Sequence, residues 1–534
     1  MDNAHLADRL DAFATLLELA DANPYSARAY RRAAETVRGA PVPVAELVRA
    51  GRVRRLRGIG GSIEAKLREL VETGQIAELT ELERELAPGL VGLGRYLGLG
   101  AKRSVEIARA LGVQTADELR EAAAAGRLRD VKGIGPKLEA QLLQALAEGP
   151  ERLAPRNIGF ARARELVGGI AAALGGEAAG DVRRWHDAPE RLTVICAAAD
   201  PAPVLTRFAE LPQVVAMLEA GERRAVGVTV EGVPVEVLAA APERFGAELL
   251  RATGAPAYVA ALEPLPDAPD EAAVYAALRI PVCPPELREA PFRDTPPALL
   301  EVADIRGDLH CHTTWSDGRA SVEEMGRAAL GRGYEYIAIC DHTPAVGAVR
   351  GLTPDAVRRQ AEEIAAANAA LAPFRVLRGI ECDILPDGRL DLPDDVLAEL
   401  DWVQVSVHGG QRMPGPEMTT RVEAALRNPH VRCLSHPTGR LIGRRPESAV
   451  DLDRVYQVAL EEGVAVEVNG LPDRLDLSGA HVREAIAAGV PIVCSTDAHS
   501  VRGLGNMANA VHTARRGWAT AGDVLNARSA AELS

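Results

Sequence analysis

Aromatic side chains are scarce in this chain, with Phe, Trp and Tyr together making up 3% of the residues. Platforms that bind single strands by stacking bases on rings are therefore not favoured. Cysteine is sparse too. The seven thiols (Cys196, Cys283, Cys311, Cys340, Cys382, Cys433 and Cys494) form no dense framework, and an odd number cannot pair completely within one chain. Several sit in apolar runs such as YIAICDH and VPIVCSTDAH, where a free thiol acts as a small hydrophobe; a reducing cytoplasm is the expected setting. No run of 18 or more apolar residues is present, so no membrane-spanning helix is expected. The N-terminal MDNAHLADRLDAFATLLELADANP has acidic residues throughout and no basic start before an apolar core, so it does not read as a signal peptide. Excess positive charge is missing as well. A net charge of −14 argues against a surface that wraps nucleic acid everywhere, while leaving room for local basic sites and for carboxylates that cations neutralise.

With 534 residues, 47% apolar and 25% charged, the chain describes a multidomain globular protein. Residues 1 to 150 are rich in Ala, Leu, Arg and Glu, with apolar positions at helical spacing and Gly-containing breaks. Three breaks repeat one pattern: LRGIGGSIEAKL at 56–67, LGLGAKRSVEIA at 97–108 and VKGIGPKLEAQL at 131–142. Paired glycines allow a tight turn, and the amides opening the next helix then form an anion site suited to a backbone phosphate. Gly58, Gly60 and Lys66, Gly98, Gly100 and Lys102, and Gly133, Gly135 and Lys137 are the candidate DNA-binding residues, with Arg52, Arg54, Arg55 and Arg57 adding charge before the first turn. One such motif could be a plain helix hairpin closed by glycine. Three copies favour sequence-independent gripping of a DNA backbone, and they resemble helix-hairpin-helix elements. The expected partitions are an N-terminal helical DNA-binding domain over 1–85 and a fingers-like domain with two such motifs over 86–150.

Residues 151–285 read as a mixed α/β unit. A helix runs to about 174, RLTVICAAA is a strand, and RRAVGVTVEGVPVEVLAAA is a hairpin turning at Glu231 and Gly232. Residues 286–303 are proline-rich and nonperiodic and read as a linker. From 304 to 534, short apolar strands alternate with helices, which implies a closed or nearly closed parallel barrel with its site at the strand C-termini.

Six of the eleven histidines stand at those strand ends: His310 and His312 in GDLHCHTTWSDG, His342, His408, His436 and His499. Asp317, Glu381 and Asp497 lie among them. In a strand, H-x-H and D-x-H place both side chains on one face, so Cys311 should point away. Any single histidine could be a hydrogen-bonded core or surface residue, but nine N/O donors at the mouth of one barrel form a metal site. They are too many for one ion and suit two or three divalent cations. Such a cluster activates water and neutralises phosphate oxygens, which points to phosphoester hydrolysis. Arg440 and Arg474 are candidate phosphate clamps, for which an ordinary surface ion pair is the competing reading.

DLHCHTTWSDG, DHT, GIECDILPDG, SVH, HPTGRLIGRRP, EVNGLPDRLDL and TDAHS resemble the PHP (polymerase and histidinol phosphatase) domain, in the version fused behind bacterial family X DNA polymerases. The resemblance implies a distorted (βα)7 barrel holding manganese or zinc. His310, His312, Glu381 and Asp497 would surround one metal, Asp317, His342 and His499 a second, and Glu381, His408 and His436 a third, with Glu381 bridging. It also implies 3′ to 5′ exonuclease, 3′-end-processing or abasic-site nuclease activity in DNA repair.

Upstream, the order of domains is similar to that of a family X polymerase, with 151–285 as its nucleotidyltransferase palm and thumb. There the chain departs from the family. GDVRRWHDAPERLTVIC keeps Gly180, Arg183 and Arg184, but Asp181 stands where a serine is expected, and Arg191 and Thr193 replace the two metal-binding aspartates. Glu236 stands for the third, and TGAPAYVAAL at 253–262 lacks the small and polar residues that hold an incoming nucleotide. Two Mg²⁺ beside a triphosphate need those carboxylates, and an arginine there would repel the ions. The expectation is a cytoplasmic, monomeric DNA phosphoesterase without polymerase activity, acting on gapped, nicked or 3′-ended duplex. The competing readings are a bifunctional repair polymerase, a small-molecule phosphatase of the histidinol phosphatase type, and a non-catalytic DNA-binding scaffold.

Overall fold

The computed structural model describes residues 2–19, 24–40, 42–56, 58–86, 99, 101–113, 116–148, 158–211, 213–229, 232–347 and 349–533. The chain divides into two units. The first comprises 1–183, 189–254 and 262–278, and the second 184–188, 255–261 and 279–534.

The first unit begins with helices Asn3–Leu19, Pro24–Arg38, Val44–Arg49, Gly61–Thr73 and Ala77–Leu86 around a core that includes Leu6, Phe13, Val37 and Leu67. Helix Gly61–Thr73 buries Ile63, Leu67 and Leu70 on one face, at the spacing of four and three that a 3.6-residue turn requires, and ends where Gly74 turns left-handed (φ +81°). The glycine turns ahead of the first and third candidate helices share one geometry. Gly58 and Gly133 have φ of +86° and +84°, and the Gly60 and Gly135 carbonyls accept from Glu64 and Glu139 at 2.9 and 3.0 Å. That left-handed position accounts for the first glycine of each pair.

A five-stranded sheet follows. Its strands are β1 (Glu177–Ala179), β2 (Leu192–Ala197), β3 (Ala216–Ala220), β4 (Arg224–Val228) and β5 (Pro234–Ala240), ordered β1-β2-β5-β4-β3. Helix Phe160–Leu174 covers one face, through Leu166, Val167 and Ile170, and helix Phe245–Thr253 packs Leu249 against Ile195 and Ala179. The expected β4–β5 hairpin is present. Its turn includes Gly232 (φ +81°), and Glu231 lies outside the described residues. β1 and β3, whose EAA and AMLEA contain no β-branched residue, carry no strand signal in the sequence.

The second unit is a seven-stranded parallel sheet. Strands β6 (Gly307–Cys311), β7 (Tyr336–Ile339), β8 (Arg375–Asp383), β9 (Trp402–Ser406), β10 (Cys433–Leu434), β11 (Ala465–Asn469) and β12 (Ile492–Ser495) pair in sequence order. A bridge from Cys311 to Ala498, with the His312 N–H donating to the Ala498 carbonyl at 2.9 Å, brings β12 back beside β6 and makes the sheet a near-barrel. Alternate positions face inward. Tyr336, Leu377, Trp402, Cys433, Ala465 and Val493 form an apolar floor. Above it Glu381, Gln404, Glu467, Asn469 and Ser495 are buried and polar. Val403, Val405, Val466 and Val468 pack outward under the helices.

Segment 286–303 is no free tether. Glu286 is 4% exposed and accepts from His512 Nδ1 at 2.8 Å and Arg515 Nε at 2.7 Å, and buried Leu300 donates its N–H to Ala519 at 2.8 Å. Prolines and missing periodicity describe an extended path, and the sequence pattern alone does not reveal that this path is packed. Burial would raise the Glu286 carboxyl, but His512 and Arg515 outweigh it and hold the group at about 2. That shift corresponds to about 3 kcal/mol, fully present above about pH 4.5 and lost as pH falls through about 2. Glu286→Gln is therefore expected to destabilise the second unit by a few kcal/mol at pH 7 in chemical denaturation. The gap to the parent protein should narrow below about pH 4.5 and close near pH 2; a gap independent of pH would count against this ion pair.

Candidate metal centre

All nine expected donors meet at the C-terminal mouth of the near-barrel. His310 and His312 come from the end of β6, Glu381 from β8, and the rest from the loops that follow the strands. His310 Nε2, His312 Nε2 and Asp497 Oδ1 lie 3.1, 3.1 and 3.7 Å apart, and Glu381 Oε2 is 3.6 and 3.7 Å from the two imidazole nitrogens. Donors about 2.1 Å from one cation would be separated by roughly 3.0 to 3.4 Å, so these four fit a shared ion. Asp317 lies 3.3 Å from His499 Nε2 and 3.7 Å from His342 Nε2, with His312 Nδ1 at 4.0 Å. Glu381 Oε1 reaches His436 Nε2 at 2.9 Å and His408 Nε2 at 3.4 Å, while its Oε2 is 2.8 Å from His342 Nδ1. Three groupings result: His312, Asp317, His342 and His499; His310, His312 and Asp497; and His342, Glu381 and His408. Glu381 touches all of this, as a bridging carboxylate would.

Buried His312 Nδ1 and His436 Nδ1 have no hydrogen-bond partner. Such orphans are costly, and together with an all-N/O donor set they fit divalent cations. Burial, with His342 and His499 alongside, lowers the His312 imidazole to about 3, so it is neutral, as ligation requires. Burial opposes ionisation of Glu381 and Asp497, yet the surrounding histidines hold both well below the usual carboxylate range. His436 (φ +28°) and Asp497 (φ +51°) occupy the left-handed region, a strain that non-glycine residues accept chiefly at functional sites. Cys311 lies in the outer core and contributes no donor to these groups.

The sequence reading missed the residues that hold the ligands. Glu467 Oε1 is 2.6 Å from His310 Nδ1, and Asp383 Oδ1 is 3.1 Å from His408 Nδ1, so each orients an imidazole from behind. A lone acid in the apolar strand AVEVN was the available signal for Glu467. For Asp383 it was the two-residue step from Glu381.

The two arginines separate. Arg440 donates to the carbonyls of Arg474 (2.9 Å) and Leu475 and pairs with Asp187 at 2.7 Å. With those donors engaged, it positions the loop after β11 instead of standing free for phosphate. Arg474 sits 3.7 Å from Asp497, with a buried Nη1 that has no partner.

Of the helical candidates, Lys137 is exposed at the start of helix Pro136–Glu148. Lys66 is bound to Glu78 at 2.9 Å and lies over the Phe13 ring, so its charge is already neutralised. Gly98 and Gly100 lie outside the described residues, as does the Lys102 side chain.

A near-barrel whose mouth gathers nine N/O donors defines a metal-dependent phosphoesterase. Residues 308–469 match the PHP domain and residues 1–76 a helix-hairpin-helix domain. The chain belongs to the family X-like DNA polymerases that carry an N-terminal helix-hairpin-helix domain and a C-terminal PHP domain. It is 34% identical to the DNA polymerase/3′-5′ exonuclease PolX of Bacillus subtilis over 97% of this chain and 96% of that protein. A probable phosphatase of Acetivibrio thermocellus is 32% identical, covering 36% of this chain and 78% of its own length. One from Thermoanaerobacter sp. (strain X514) is 28% identical over 41% and 89%.

Removing Glu467 should loosen His310 without deleting a donor. Glu467→Gln is expected to weaken Mn²⁺ binding by roughly 10- to 100-fold, measured by equilibrium dialysis and metal analysis, with Glu381→Ala losing more. Unchanged metal content in both variants would refute this assignment of the site.

Proposed function

We propose that this protein is a DNA phosphoesterase of repair that trims or cleans 3′ ends or incises abasic sites, and that its polymerase activity has been lost. The observation that carries the reading is the joining, in one chain, of a nine-donor phosphoesterase site to glycine turns of matched geometry. A small phosphate ester needs no such grip on a backbone, which disfavours the small-molecule phosphatase. Likeness along nearly the whole chain to a protein named as a 3′-5′ exonuclease supports the same choice.

Manganese or zinc held at the mouth would supply Lewis-acid neutralisation of phosphate oxygens and lower the pKa of water. The chain's own part is to fix the donors. Glu467 and Asp383 aim His310 and His408, Glu381 joins the groups, and Arg474 offers its free Nη1 to a phosphate oxygen.

Loss of the polymerase rests on how its nucleotide-site positions are used. Thr193 and Glu236 lie opposite each other on parallel β2 and β5, where Thr193 Oγ1 donates to Glu236 at 3.2 Å. Arg224 Nε binds the same carboxylate at 2.6 Å and Arg191 approaches it at 3.4 Å. Two guanidiniums thus occupy the place where divalent ions would need carboxylates. Arg183 is bidentate to Glu271 at 2.8 and 2.8 Å, and Asp181 accepts the amides of Glu190 and Arg191 at 2.8 and 3.1 Å. Both side chains are thus engaged by other groups of the chain.

One labelled gapped DNA incubated with Mn²⁺ and dNTPs tests both halves. The parent protein should shorten the 3′ strand and extend nothing, while His310→Ala and Glu381→Ala should lose at least a hundredfold in shortening rate. Primer extension would restore the bifunctional reading, and intact DNA beside cleaved small phosphate esters would restore the phosphatase.

A further inference from the structure

Four of the seven loops at the barrel mouth carry exposed charge of one sign. Arg319 follows β6, Arg350 follows β7, Arg412 follows β9 and Arg502 follows β12, and all four are exposed. Each is close along the chain or through a backbone bond to a donor of the cation site. Arg319 lies two residues past Asp317, and its N–H donates to the His499 carbonyl at 2.9 Å. Arg350 stands two residues before Leu352, whose N–H donates to the His342 carbonyl at 2.7 Å. Arg412 is four residues beyond His408, and Arg502 three beyond His499.

Scattered surface arginines are ordinary, and in a chain of net charge −14 they are usually matched by neighbouring acids. Here they are not. Among the described residues none of the four makes an ion pair. The only carboxylates on these loops are Asp317 and Asp497, which belong to the cation groups, and Asp341, which is buried and accepts from Thr313, Ser316 and Gln360. The loops after β8 and β11 differ, for there Asp387 meets Arg389 at 2.7 Å and Asp473 meets Arg444 at 3.3 Å. Because β12, β6 and β7 are neighbours, the loops that carry Arg502, Arg319 and Arg350 are adjacent at the mouth, with the loop of Arg412 farther round.

A terminal phosphate seated among the cations needs at most one further clamp. Guanidiniums spread over several loops suit a ligand that carries several phosphates in a row. We propose that Arg319, Arg350, Arg412 and Arg502 form a track for the sugar-phosphate backbone of a nucleic-acid strand whose reacting phosphate lies at the cation site. This proposal rests on the DNA phosphoesterase reading and adds where the strand runs.

The test compares the full chain with its Arg319→Ala/Arg350→Ala/Arg412→Ala/Arg502→Ala variant in Mn²⁺, on a labelled single-stranded oligonucleotide and on bis(p-nitrophenyl) phosphate, a diester without a chain. The variant should lose at least tenfold in kcat/KM on the oligonucleotide, mostly through KM. The dependence of log kcat/KM on log salt should become shallower by up to about 3, at roughly 0.7 per lost phosphate contact on a single strand. Turnover of the small diester should not change. An unchanged oligonucleotide KM and salt slope, in a parent protein that does cleave DNA, overturns the track alone; so does an equal loss on both substrates. A parent protein that leaves DNA intact overturns the proposed function, and the track with it.

Discussion

Glu381 is 1% exposed and stands within 3.7 Å of imidazole nitrogens from His310, His312, His342, His408 and His436. A carboxylate so deeply buried is expensive unless charge and hydrogen-bond donors surround it, and much of the second unit serves that condition. Only a sheet that nearly closes on itself can bring the ends of β6, β8 and β12 and the loops after β7, β9 and β10 to one point. The apolar floor below keeps the polar layer dry, and Glu467 and Asp383 stop the imidazoles from rotating. A cation site of this kind follows from the closure of the barrel, so substitutions that shift strand register should damage it as surely as loss of a ligand.

The same chemistry, carboxylate meeting cationic side chain, has the opposite outcome in the five-stranded sheet. There Glu236 is satisfied by Arg224, Arg191 and Thr193, and Arg183 by Glu271. These charges are closed on each other. A site satisfied by its own side chains gains little from a ligand, because binding must first break those pairs.

Much of the barrel was legible because strand alternation and the H-x-H and D-x-H steps are local signals. His310, His312, Asp497 and His499 could be grouped by period alone. Glu381 and His436 could be placed only by assuming a barrel, since 55 residues separate two atoms that lie 2.9 Å apart. Tertiary pairing was invisible. Lys66 reads as a DNA contact but lies against Glu78, and Arg440 reads as a phosphate clamp until the carbonyls of the β11 loop and Asp187 are seen to use its donors. The packed path of 286–303 was hidden for the same reason, because Glu286 meets Arg515 across 229 residues of sequence.

Asp187 also shows what a short stretch of the middle region contributes to the unit that holds the metal centre. Residues 184–188 and 255–261 lie well before the barrel in sequence, yet they belong to the unit that contains the metal centre. Within that unit Trp185 stacks on His512 with centroids 3.7 Å apart, Arg184 meets Glu289 at 3.1 Å, and Asp187 neutralises Arg440. Arg440 in turn holds the carbonyls of Arg474 and Leu475, beside the metal-site residue Asp497. Asp187→Ala would leave the Arg440 guanidinium with only Glu447, at 3.7 Å, next to the loop that carries Arg474, a loss on the scale of kcal/mol. Residues 184–188 thus supply part of the framework on which the phosphoesterase site is held.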